Sequence, residues 1–156
     1  AWMRSQLEPA GIELIDLKES GTLLAAGWEP LVRTLKHDPE VAVRAEAANA
    51  LVSHGLDRAW PLLLESFQAE SEWLIHCSIL SAVAEHPEIA PEQLLELARL
   101  AVAEADGTVR VGGTEILARL VREGNSEARE VLQGLQQDSD HRVVAAALNG
   151  LQSQTC

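Results

Sequence analysis

Five histidines, two cysteines and 24 carboxylates are the groups in this 156-residue chain able to carry chemistry. Spacing decides whether they do. His37, His54, His76, His86 and His141 are scattered along the chain. There is no His-Glu-x-x-His and no Cys-x-x-Cys, the spacings that place metal ligands on one face or one turn. His54 and His86 sit near the ends of helices one repeat apart, about 10 Å from each other if those helices pack. That is too far for shared ligation without rearrangement. His76 beside Cys77 looks like a nucleophile and its base, but helical neighbours point about 100° apart and do not face each other. Glu70 and Glu72 flank a turn, where carboxylates favour the start of a helix. Gly107 and Gly112-Gly113 lack the lysine and the strand of a phosphate-binding loop. These patterns give no catalytic residue, no metal site and no cofactor site, so function is sought on a surface.

Composition narrows that surface. Twelve basic against 24 acidic residues leave a net charge of -12. Such a surface repels phosphate backbones and anionic membranes, and attracts basic protein segments. The chain has one Phe, no Tyr and an excess of Ala and Leu, which favours helices over strands. Its length suits a single domain with a substantial core. Cys77 and Cys156 are too far apart in sequence to form a disulfide framework. No apolar run reaches membrane-spanning length, and no signal-peptide pattern opens the chain. The expectation is a cytoplasmic protein. Its first residue is Ala1 rather than Met, which leaves room for a preceding segment.

An internal repeat organises the elements. Val43, Ala47, Ala50 and Leu51 form the buried stripe of an amphipathic helix. At steps of about 32 to 34 residues the same stripe returns. Its copies are Ile75, Ile79, Ala82 and Val83; then Val109, Gly113, Ile116 and Leu117; then Val143, Ala147, Gly150 and Leu151. The preceding helix of each copy repeats too, in the columns Leu31, Leu63, Leu97, Val131 and Leu35, Phe67, Ala101, Leu135. Cys77 falls in the column of Ala45, Val111 and Ala145 and is expected to be a structural thiol. An acid recurs between the two helices, at Asp38, Glu70, Glu104 and Asp138. A base follows the first stripe position at Arg44, His76 and Arg110, and Val144 replaces it in the last copy. Acid and base so placed form a ladder of ion pairs between neighbouring copies. Asp38 with Pro39 reads as an N-cap and N1 pair, and Ser71 and Asp106 are expected to cap in their copies. Trp28 and Trp60 are expected to pack, with Pro30 and Pro61 in the first helical turn. Gly55, His86-Pro87 and Gly124 are stop signals.

The run Asp38 to Leu51, Asp-x-x-x-x-Val-Arg-x-x-Ala-Ala-x-Ala-Leu, resembles the HEAT repeat. The short period is similar to the phycobilisome-lyase-type HEAT-like repeats. The resemblance covers roughly residues 22 to 153. The second copy departs with His76 for Arg, the third with Gly112-Gly113 inside a helix, and the fourth lacks the base. The resemblance implies an all-α fold: a right-handed α-solenoid of about four helix pairs, at 22–55, 56–88, 89–124 and 125–156. Residues 1–21, with Trp2, Leu7, Ile12, Leu14, Ile15 and Leu17, are expected to cap its open end.

It also implies that second helices line a concave groove. The groove residues are then Glu46 and Ser78, with Gly112 and Ala146; Asn49, Ser81, Glu115 and Asn149; and Ser53, Glu85 and Arg119, with Ser153. Trp73 stands at the rim as an exposed anchor, a role in which Trp is enriched. The rows are small, polar and acidic, and fit a basic segment of a protein partner. The expected function is a non-catalytic scaffold or adaptor, a monomer or a homodimer. The alternative implied by the resemblance is a bilin-lyase-related factor acting on phycobiliproteins with a tetrapyrrole in the groove. Arg119 and Trp73 are the only obvious contacts for that ligand. HEAT-like DNA glycosylases need a basic groove, which this chain lacks.

Overall fold

The computed structural model of the protein describes residues 27–152, and every regular element among them is helical. The expected cap over residues 1–21 lies outside the described residues. No helix among those described is long and apolar enough to cross a membrane. The chain divides into two compact units, one ending at His86 and the other starting at Pro87.

The first unit holds α1 (Trp28–His37), α2 (Val41–Val52), α3 (Leu56–Ala69) and α4 (Trp73–Ala84). The second holds α5 (Pro91–Val102), α6 (Gly107–Arg122), α7 (Ser126–Gly134) with a 3-10 turn at Leu135–Gln137, and α8 (His141–Gln152). In each unit the helices pair in sequence order, and the second helices of the two pairs also pack together: α2 on α4, and α6 on α8. The core is what the repeat predicts. Val43, Ala47, Ala50, Leu51, Ile75, Ile79, Val83, Val109, Gly113, Ile116, Leu117, Val143, Ala147 and Gly150 are buried. The first-helix columns follow, with Leu31, Leu63, Leu97, Leu35, Phe67, Ala101 and Leu135 buried. Each fully buried Leu or Phe contributes roughly 1.5–3 kcal/mol of transfer free energy. Ala82, Val131 and Leu151 are only half-buried.

Helix ends follow side-chain reach. Asp106 caps α6 as expected, its Oδ1 accepting the N–H of Thr108 (2.8 Å) and Val109 (3.2 Å). Asn125 caps α7 by accepting the Ala128 N–H at 2.9 Å. Pro91 opens α5, and Gln93 Oε1 reaches back to the Ala90 N–H at 3.0 Å. Gly55 and Gly124 take φ of 121° and 90°, values L side chains rarely adopt, and each ends a helix there.

Three local expectations are corrected. Asp38 is not the N-cap of α2: Glu40 is, and Asp38 Oδ1 accepts the Glu40 N–H at 2.9 Å, closing the turn before the helix. Ser71 does not cap α4. Glu72 occupies that place, and the longer Glu70 side chain takes the Ser71 and Glu72 N–H groups, both at 3.2 Å. Pro61 is not in a first turn but inside α3, which starts at Leu56 directly after Gly55. Its missing N–H removes one rung of that helix.

Candidate functional site

The bases on the second helices meet acids from the following turn. In the first unit Arg44 Nε donates to Glu70 Oε1 (3.3 Å) and Nη2 to Glu70 Oε2 (3.4 Å), while Nη1 donates to the Asp38 carbonyl (2.8 Å). In the second unit Arg110 Nε and Nη2 donate to Asp138 Oδ1 (3.1 Å) and Oδ2 (3.2 Å). Its Nη1 donates to the carbonyls of Glu104 (3.1 Å) and Ala105 (2.6 Å). Both pairs are bidentate, the fork geometry that suits guanidinium and carboxylate. Each acid also closes its own turn: Asp138 Oδ2 accepts the Asp140 N–H at 2.8 Å, as Glu70 does for Ser71 and Glu72. One side chain therefore ties a turn, a helix start and the preceding second helix together.

His76 stands in the same column and makes its own contacts with Phe67. It is buried, its Nε2 lies 2.9 Å from the Phe67 carbonyl, and its ring centroid is 4.4 Å from that of Phe67. A carbonyl only accepts, so Nε2 carries the proton. The imidazole is shorter than an arginine and satisfies a carbonyl in the last turn of α3. His76 is thereby packed rather than presented to substrate. Cys77, its neighbour, is half-buried on α4.

The hydrogen bonds set the local charge states. The Arg110 guanidinium, and then the Asp140 N–H, hold Asp138 below the usual carboxylate range. Asp140 is lowered to about 2 by the Arg142 guanidinium and the Arg142 N–H, and Arg142 is raised by the same contact. Arg142 Nη1 also donates to Thr108 Oγ1 at 3.2 Å. Asp140 fits this place because position 107 is glycine: a Cβ there would run into the Asp140 carboxylate.

The residues predicted to face a partner lie on the second helices or at their ends. On α2, Glu46 and Asn49 are half-buried, and the Ser53 hydroxyl just beyond donates to the Ala50 carbonyl at 2.6 Å, so it serves its own helix. On α4, Ser78 is half-buried and Ser81 exposed, and Glu85 beyond its end is exposed. Trp73 at its start is 48% exposed. On α6, Glu115 is exposed, and Arg119 pairs with Glu123 one turn on at 3.5 Å. Asn149 on α8 is exposed. These groups share a sequence register. Glu46, Asn49, Ser53, Trp73, Ser78, Ser81 and Glu85 belong to the first unit, and Glu115, Arg119 and Asn149 to the second.

Two features escape the pattern. The Arg58 guanidinium lies 4.1 Å from the Trp28 ring centroid, and His54 meets the same ring edge-on at 6.1 Å. Trp28 thus packs, as expected, but against one guanidinium and one imidazole. A small cleft of about 200 Å³ lies between the C-terminal ends of α1 and α3, lined by Leu35, Lys36, Glu65, Ser66, Ala69 and Glu70. Lys36 and Glu65 meet there at 3.9 Å. Among the described residues, no group of three His, Cys, Asp or Glu side chains is placed to hold a metal ion.

Comparison with models of protein families, with curated proteins and with solved structures finds no match to this chain.

Proposed function

We propose that the chain is a non-catalytic interaction module, an α-solenoid of four HEAT-like helix pairs whose second helices line a groove for a basic segment of a protein partner. The observation that carries this reading is the exposed Trp73 at the head of α4, a helix on which Ser81 is exposed and beyond whose end Glu85 is exposed. Trp is enriched at the hot spots of protein interfaces, and Trp73 is left 48% exposed. Support also comes from the paired Arg44–Glu70 and Arg110–Asp138 contacts, which repeat one device at one register in both units. The buried carbonyl-bonded His76 and the half-buried Cys77 serve packing, and the buried Asp38 closes the turn before α2. The net charge of -12 selects a cationic ligand.

The test is binding to a peptide library graded from Lys/Arg-rich to Asp/Glu-rich, read by tryptophan emission and by anisotropy of labelled peptides. The wild type is expected to select basic peptides. The Asn49→Arg/Glu115→Arg variant should weaken that binding at least tenfold, and Trp73→Ala should do so with helicity unchanged. Equal binding by all variants, or selection of acidic peptides, overturns the reading. A visible-range spectrum of protein purified from native extract is the second arm. A bilin absorbance retained through purification would place the chain with chromophore-handling factors instead.

A further inference from the structure

We draw no further inference here: the strongest candidate, the cleft between the C-terminal ends of α1 and α3, has both of its carboxylates paired within the chain, Glu65 with Lys36 and Glu70 with Arg44, and nothing in the structure shows what would occupy it.

Discussion

Glycine inside a helix ordinarily costs about 1 kcal/mol relative to alanine, which makes Gly113 in the middle of α6 an apparent defect. Its surroundings explain it. A Cβ at Gly113 would lie 2.8 Å from Ala101 Cβ and 3.1 Å from the Ala98 carbonyl, so α5 and α6 approach to backbone contact there. Gly150 does the same for α8, against Ala118 and against Leu132 Cδ2 at 2.9 Å. Gly134 at the end of α7 has nothing within 4 Å of the same added atom and has ordinary helical dihedrals. One substitution therefore has opposite signs at different sites. Gly113→Ala and Gly150→Ala should lose up to about 2 kcal/mol, the roughly 1–3 kcal/mol of overpacking less the propensity gain. Gly134→Ala should gain about 0.5–1 kcal/mol. Urea unfolding of the three variants checks this, and stabilisation by Gly113→Ala would show that α5 and α6 are not in close contact.

At the scale of elements, the Arg110–Asp138 pair links α6 to the turn that launches α8, and it is mostly shielded from water at 14% and 13% side-chain exposure. Removing the guanidinium strands a carboxylate and the two carbonyls it serves. Arg110→Met should cost roughly 2 kcal/mol, or about 4–8 °C in melting temperature for a chain of this size. The pH dependence separates the ion pair from the carbonyl bonds. Asp138 is held below its ordinary value by Arg110, so the stability it contributes is present above the unfolded carboxylate value near 4. It is lost as pH falls through the lower folded value. The gap between wild type and Arg110→Met should therefore narrow as melting is followed from pH 5 towards pH 2. A constant gap would assign the cost to the Glu104 and Ala105 carbonyls instead. The acid-to-base order along the sequence made this contact legible, because a period of 32 to 34 residues fixes which turn each arginine meets. The partner of His76 was not legible. The column predicts a base, but nothing in it shows that this base also reaches back to the Phe67 carbonyl. Helix starts escaped too: the reach of Asp38 and Glu70, not their residue class, sets where α2 and α4 begin. For the candidate site, Trp73 was legible as exposed, since it stands on the same helix as the buried stripe but outside it. Ser53 was not legible as a cap of its own helix, since a serine side chain reads equally as surface or as cap.

For the whole molecule, the net charge of -12 acts in opposite directions on folding and on binding. Mutual repulsion among surface carboxylates opposes the compact state, and it is long-ranged, with a screening length of about 30 Å at 0.01 M salt and about 8 Å at 0.15 M. Exposed ion pairs such as Lys36–Glu65 at 3.9 Å and Arg99–Glu127 at 3.5 Å, which salt also weakens, contribute little at any ionic strength. The bidentate Arg44–Glu70 and Arg110–Asp138 pairs are largely shielded from mobile ions. Screening therefore removes more repulsion than attraction. Raising NaCl from about 10 mM to about 0.5 M should raise the melting temperature by a few degrees, about 2–5 °C. In the same titration, affinity for a basic peptide should fall, because the field that draws the peptide in is the one being screened. The two readings moving apart would show that lost binding at high salt is not lost structure. A melting temperature that falls with salt would mean that attractive pairs, not excess carboxylates, dominate the electrostatics of the fold.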